Sequence, residues 1–409
     1  MKYVIIGAGP AGVTAAETLV KSDPDGDVVL VGGEPHPPYS RMAIPYVLTG
    51  KIKADGTYLR KSDGHLKNLG IQYVQGQVSN VDPSANTVTL SGGETLGYDK
   101  LLIATGSTPV LPPVPGMDLG GVHHCWTLED VDAIAAKAKK GANVVLMGAG
   151  FIGCIILESL VERGVNLTVV EAEDRMISKM MDTTGGDMLK RWVEGKGVTL
   201  LTSTKVTGVA TKGTALSVST DLGGDLPADL VVVSVGVKPN TDFLEGSGVD
   251  VDAGLLVNDR LQTAVEGIYG AGDVAQGPGF GGGFEVHAIQ PTSVDHGRIA
   301  ALNMTGADTP YQGSLIMNVL DTLGLISASF GDWSGDDDTA VMKNVDQNRY
   351  LKLAFQDDRL VGALSLGRTD QIGVLRGLIQ SRTKLGKWKE KLKSNPSLIV
   401  EAYVACTRI

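Results

Sequence analysis

Cysteine is scarce in this chain: three in 409 residues, Cys125, Cys154 and Cys406. They lie far apart with no Cys-x-x-Cys, so neither an iron-sulfur cluster nor a dithiol redox centre is legible. No apolar run approaches the length needed to span a bilayer, so no membrane span is expected. Positive charge is in deficit, and a net charge of −10 argues against nonspecific nucleic-acid binding. Hydrophobic residues at 43% and charged residues at 20% exclude global disorder and provide for a sizeable core. A first strand beginning at about residue 2 leaves no room for a signal or transit peptide, and cytoplasmic localisation is the expectation.

What the chain does have is glycine in two special places. GAGPAG runs from Gly7 to Gly12 and GAGFIG from Gly148 to Gly153, each after a short apolar strand, Tyr3 to Ile6 and Val144 to Met147, and each before a helical pattern. In such a fingerprint the first glycine (Gly7, Gly148) allows a tight turn and the second (Gly9, Gly150) admits a pyrophosphate to the backbone. The third (Gly12, Gly153) lets helix pack on strand. The helix N-termini, at Pro10 and Ala11 and at Phe151 and Ile152, then face phosphates with free N–H groups. After each helix a second strand ends in an acid, Glu34 and Glu171, that can accept the hydroxyls of an adenosine ribose. Two fingerprints predict two dinucleotides, and the length suits two or three domains.

Between the fingerprints short strands alternate with turns, ending in Leu101 to Ile103 and then Ala104, Thr105 and Gly106. Pro109 to Pro115 reads as a hinge. Later come the strand Leu230 to Val235 with Gly236, and Tyr269 to Asp273, which includes Gly272. In this order the four signatures GAGPAG, ATG, GAGFIG with Glu171, and YGAGD resemble the two-dinucleotide flavoproteins of the pyridine-nucleotide-dependent oxidoreductases. The resemblance implies an α/β fold of two Rossmann-like domains plus a small α+β C-terminal domain. Residues 1–115 and 241–310 would bind FAD, residues 116–240 would form an inserted NAD(H) domain, and residues 311–409 would supply an interface or homodimer domain. Asp273 would hydrogen-bond near the FAD ribityl and phosphate, and His287, Gln290 and Pro291 would lie in the segment that passes the flavin.

Disulfide-using members of that family carry a redox cysteine where this chain has Met42, within Pro38-Tyr39-Ser40-Arg41-Met42. A thioether cannot form the thiolate, sulfenic acid or mixed disulfide which that chemistry needs. The same stretch, with Arg41, resembles the Pro-Tyr-x-Arg segment of the ferredoxin, rubredoxin and nitrite reductase flavoproteins, without the lysine that usually follows. Many relatives place a glutamate at the position of Ile155, whereas here Glu158 is three residues on. Hydride passes between bound cofactors, so the protein supplies position and electrostatics and no catalytic side chain is expected. Glu171, Glu173 and Asp174 favour NADH over NADPH, with Arg175 the one nearby cation.

The resulting expectation is an FAD-containing, NADH-linked oxidoreductase that passes electrons to an iron-sulfur or rubredoxin-type protein, alone or as the flavin subunit of a larger complex. Alternatives are a flavin-based NADH oxidase and an NADH-responsive redox-sensing interaction protein. His123 and His124 lack partners at ligand spacing and read as surface or hinge residues. The basic stretch Arg376 to Lys393 reads either as a docking patch for an acidic carrier or as a solvated helical face. Asp336 to Asp338 reads as a hairpin tip rather than a metal site.

Overall fold

The computed structural model describes residues 1–335 and 337–407. It divides into two compact units. The first comprises Met1–Ile44, Ile52–Thr108 and Val237–Ser314. Its centre is a five-stranded parallel sheet in the order Ile268–Gly270, Lys100–Ile103, Lys2–Ile6, Asp27–Gly32, Gln72–Gln75. Apart from the edge strand Gln72–Gln75, these strands are largely apolar runs, as sheets covered on both faces require, and Val4, Ile5, Leu30, Leu101 and Leu102 are fully buried. A small antiparallel sheet of Val78–Asp82, Thr87–Leu90 and Thr95–Gly97 adds Val81, Val88 and Leu90 to the same core.

Helix Pro10–Ser22 begins with proline, whose missing N–H costs nothing in the first turn. Helix Gln290–Met304 packs against it at Gly297, where a Cβ would stand 2.2 Å from the carbonyl oxygen of Ala11. Glycine is what permits that approach.

The second unit comprises Pro45–Lys51, Pro109–Gly236 and the described residues from Leu315 onward. It holds another five-stranded parallel sheet, ordered Thr199–Leu201, Asn166–Val170, Asn143–Met147, Leu230–Val233, Val122–His123. The strand expected to run to Val235 stops at Val233, because the next residue, Ser234, sends its carbonyl against Gly148. Helix Phe151–Glu162 starts directly after Gly150. Further along the chain, Met317–Thr322, Leu325–Gly331, Arg359–Leu366, Arg349–Gln356 and Thr339–Asn344 form an antiparallel sheet in that spatial order. Leu375, Leu378, Ile379 and Leu392 from its following helices are buried.

Polar anchors inside this unit join its two larger sheets. Asp182 caps helix Thr183–Glu194 by accepting the Gly185 N–H at 3.0 Å and also accepts the Tyr350 hydroxyl at 2.5 Å. Buried Lys352 places Nζ 4.0 Å from the same carboxylate. The Trp192 indole donates to the carbonyls of Thr322 and Leu323, each at 3.2 Å. Glu158, which accepts the Leu323 N–H, is pushed up in pKa by burial, then by Asp321 and Glu162. Its side chain therefore serves the Leu323 turn.

The basic stretch is not one helix. Ile372–Ser381 ends with Arg382 at φ +50°, and Lys387–Ser394 starts after Gly386 at φ +53°. Two of its cations are committed, Lys389 at 2.6 Å and Lys393 at 3.0 Å from Asp338. Asp338 belongs to the expected hairpin-tip acids Asp336 to Asp338, of which Asp336 lies outside the described residues. His123 sits in a strand edge, and His124 Nδ1 lies 3.1 Å from the Val233 carbonyl oxygen. Among the described residues no group of His, Cys, Asp or Glu is placed to hold a metal ion, and no helix is long and apolar enough to cross a membrane.

Candidate nucleotide sites

In the first unit, strand Lys2–Ile6 has Asp27–Gly32 on one side and Lys100–Ile103 on the other. The carboxyl end of such a strand is where open α/β sheets leave a crevice for ligands. Gly7 turns there at φ +110°, and a Cβ on it would stand 2.1 Å from the Ala104 carbonyl oxygen. On Gly12 it would stand 1.9 Å from the Gly7 carbonyl oxygen, yet on Gly9 it would meet nothing within 4 Å. The outer glycines are thus demanded by the protein's own backbone, while the middle one borders open space, the cradle a pyrophosphate needs.

The other motifs gather at this end. Ala104 N–H donates to the Ile6 carbonyl at 2.7 Å. Thr105 exchanges two hydrogen bonds with Asn240, at 2.8 and 2.9 Å, and Gly106 turns at φ +68°. Gly272, at φ +79°, lies so close to the first helix that a Cβ would be 3.1 Å from Ala11 Cβ. Asp273 follows, accepting from Ser293 at 3.1 Å and Ser107 at 3.4 Å. Burial raises its pKa, against the opposing pull of those two hydroxyls and of Arg41.

Glu34 follows the second strand as expected, and its carboxylate is engaged by the Tyr39 hydroxyl and by Arg41 Nη2 at 2.5 Å. Arg41 also stacks over the Tyr39 ring at 5.5 Å. Ser40 donates to Gln290 Oε1 at 2.7 Å, tying this segment to the start of helix Gln290–Met304. His287 Nε2 lies 3.1 Å from Glu285 Oε1, and burial lowers the His287 pKa despite that carboxylate.

The second unit repeats the construction. Gly148 turns at φ +97° with Cβ space blocked at 2.3 Å by the Ser234 carbonyl oxygen, and Gly153 is blocked at 2.2 Å by that of Gly148. Gly150 is open. Gly148 N–H donates to Val170 at 2.8 Å. Glu171 is buried, with Oε2 accepting the Ala149 N–H at 2.5 Å and Oε1 accepting the Glu173 N–H at 2.8 Å. Arg175 turns away from solvent: it donates to the Met181 carbonyl at 3.0 Å and to Asp174 at 2.6 Å. Cys154 is a fully buried packing residue, its thiol pushed up to about 12 by burial and then by Glu171. Gly236, at φ +128°, accepts the Val110 N–H at 2.9 Å.

Sequence reading missed Ser107, Ser293 and His296, which surround Asp273 and Gly272. Ser293 and His296 lie three residues apart, and with Gln290 they mark one face of a helix. That spacing was the available signal.

A family model described as pyridine nucleotide-disulphide oxidoreductase matches residues 1–295. The chain belongs to this family. It is accordingly an oxidoreductase whose cofactors are FAD and NAD(H). A second family model, described as the rubredoxin NAD+ reductase C-terminal domain, matches residues 317–383. The chain is 31% identical to the NADH-dependent phenylglyoxylate dehydrogenase subunit epsilon of Aromatoleum evansii, over 97% of this chain and 95% of that one. It is also 31% identical to the assimilatory nitrate reductase electron transfer subunit of Bacillus subtilis (strain 168), over 93% of this chain. There it spans about half the relative, 49%. Among solved structures, the covalent putidaredoxin reductase-putidaredoxin complex superposes with a TM-score of 0.92 over 100% of this chain and 99% of the other, at 24% identity. At that identity the likeness speaks for the fold. Of its cysteines, Cys125 and Cys154 are buried and all three are free.

Proposed function

We propose that this flavoprotein takes hydride from NADH onto FAD, or returns it, and exchanges single electrons with an iron-sulfur or rubredoxin-type protein, either as a free reductase or as the flavin subunit of a larger complex. The observation that carries the reading is the pair of glycine cradles, each closed by backbone at its outer glycines and open at Gly9 or Gly150. FAD, when bound, supplies the step from two-electron to one-electron chemistry. The relatives are consistent with the partner class: one is named as an electron transfer subunit, another as a dehydrogenase subunit.

In this reading the Gly7, Gly9, Pro10, Ala11 and Gly12 loop receives the FAD pyrophosphate, Glu34 and Arg41 flank the adenosine ribose, and Ala104, Thr105, Gly106, Gly272 and Asp273 line the ribityl side with His287 beyond them. Gly148, Gly150, Phe151, Ile152 and Gly153 receive NAD(H), with Glu171 at its ribose and Gly236 at the opposite strand end. Residues 1–115 and 241–310 form the FAD domain, 116–240 the NAD(H) domain and 311–409 the interface domain. The first unit's edges at Thr108, Val237 and Ser314 support the bounds of the FAD domain, while Pro45–Lys51 and most of both other proposed domains fall in the second unit. Cytoplasmic residence belongs to the same proposal and is supported by the three unpaired cysteines.

The acidic side chains at the second strand end favour NADH. Glu173 and Asp174 repel a phosphate, and Arg175 is engaged by Asp174 and the Met181 carbonyl. Anaerobic stopped-flow mixing with NADH and NADPH, followed by ferredoxin or rubredoxin, tests the whole reading. Fast bleaching by NADH and reoxidation by the carrier are expected. Bleaching that the carrier does not reverse but oxygen admitted afterwards does would indicate the NADH oxidase reading, and absence of bleaching would overturn the NAD(H) site.

A further inference from the structure

One face of helix Gln290–Met304 reaches four segments around the first fingerprint. Gln290 accepts from Ser40, Ser293 donates to Asp273, His296 faces the Gly272 N–H, and Gly297 seats the Ala11 carbonyl. Their spacing of three, three and one residues keeps them on one stripe. Of these, His296 is the one whose chemistry is unusual. It is 3% exposed, its Nδ1 accepts the Gly272 N–H at 3.4 Å, and its Nε2 is buried with no hydrogen-bond partner among the described residues. The Tyr311 ring meets it edge-on at 4.6 Å between centroids. Burial, and then His287, pull its pKa down to about 4, so the ring is neutral at physiological pH.

A neutral imidazole can accept at one nitrogen only. Accepting at Nδ1 places the proton on Nε2. Gly272 turns at φ +79° immediately before Asp273, and its N–H has to point somewhere in the buried corner. Holding it fixes the direction in which the Asp273 carboxylate leaves the chain.

We propose that His296 is a positioning residue of the FAD site, holding the Gly272–Asp273 corner through Nδ1 as the neutral Nε2–H tautomer. This rests on the assignment of Asp273 to FAD. The role is exerted through the corner, and His296 itself need not touch the cofactor.

The test uses the full chain and compares His296→Asn, which keeps an acceptor at the δ position, with His296→Leu, which fills similar volume without one. Both lose the ring contact with Tyr311, and the apoprotein Tm of each reports separately what the substitution does to packing. FAD affinity is read by titrating apoprotein with FAD, alongside the apoprotein Tm. Expected is FAD binding by His296→Leu weakened about fivefold to tenfold relative to His296→Asn, the worth of one lost buried hydrogen bond. Equal affinity of the two variants would overturn the proposal. Asp273→Ala serves as control: if it binds FAD as tightly as the parent chain, the Asp273 assignment itself has failed. Loss in Asp273→Ala with equal affinity in the two His296 variants would remove only the role given to His296.

A second measurement does not depend on how the variants fold. Isotope-labelled histidine NMR of the parent chain, with six histidines to resolve, should show one buried ring with bare Nδ1 and protonated Nε2, unchanged across neutral pH. A ring protonated at Nδ1 there would refute the inference, because it could not accept from Gly272.

Discussion

The Glu171 carboxylate accepts the backbone N–H of Ala149, the residue between the first two glycines of the second fingerprint, at 2.5 Å. An acid expected to meet a ribose thus also holds the loop that would cradle the phosphates. Its oxygens each retain acceptor capacity after these bonds, so both tasks are compatible.

Replacing Glu171 should therefore affect fold and cofactor together. Glu171→Gln is expected to raise the KM for NADH about tenfold or more and to lower stability by about 1.5–3 kcal/mol, the range for a buried hydrogen bond to a charged group. Steady-state kinetics and urea unfolding check the two effects. A change in KM without any loss of stability would contradict the loop contact.

The middle and outer glycines should separate cleanly. Gly150→Ala places its methyl in open space and is expected to cost less than about 1 kcal/mol in the apoprotein while weakening NADH binding. Gly153→Ala forces a Cβ to 2.2 Å from a carbonyl oxygen and should cost about 3 kcal/mol or more. Apoprotein Tm against NADH affinity distinguishes them, and equal loss of Tm in both would disprove the cradle geometry.

Asp273 should trade stability for cofactor binding. Its folded pKa is raised above 3.8, chiefly by burial. The folded state therefore holds its proton more tightly than the unfolded chain, and this contribution to stability is present at low pH and lost as pH rises through the folded value. At pH 7.5 Asp273→Asn removes a buried charge and should leave the apoprotein Tm equal or higher, while FAD content after purification falls. Full flavin occupancy would rule out the role assigned to Asp273.

Arg175 is expected to be irrelevant to cofactor choice. With its guanidinium committed to Asp174 and the Met181 carbonyl, Arg175→Ala should leave the ratio of kcat/KM for NADH and NADPH unchanged within about threefold while lowering Tm slightly. A tenfold shift in that ratio would mean the side chain reaches the nucleotide.

Tyr350 and Asp182 give a test of the second unit's interior. Tyr350→Phe removes a hydroxyl donor to a carboxylate that also caps a helix, and about 1.5–3 kcal/mol of stability should go with it. A double-mutant cycle with Asp182→Asn, read by urea unfolding, should show strong coupling.

Much of the architecture was readable because its determinants are local. A positive φ at Gly7 or Gly148, a helix starting three residues later and an apolar strand before it all leave marks within a few positions. The length of the strand after Asp229 and the break between Arg382 and Gly386 were harder, because each is set by a close approach or a turn that apolar pattern and charge do not report.

By itself the sequence determined that two strand-turn-helix cradles exist, that acids follow both second strands, and that no cysteine stands near Arg41. Only the tertiary structure decided what those groups face. Glu171 meets Ala149, Arg175 meets Asp174 and the Met181 carbonyl, and Ser107, Ser293 and His296 close around Gly272 and Asp273 from segments up to 189 positions apart in the chain. Spacing along a chain encodes backbone turns and faces, but the desolvation that shifts Asp273 and His296 arises from packing between distant segments, which no local pattern records.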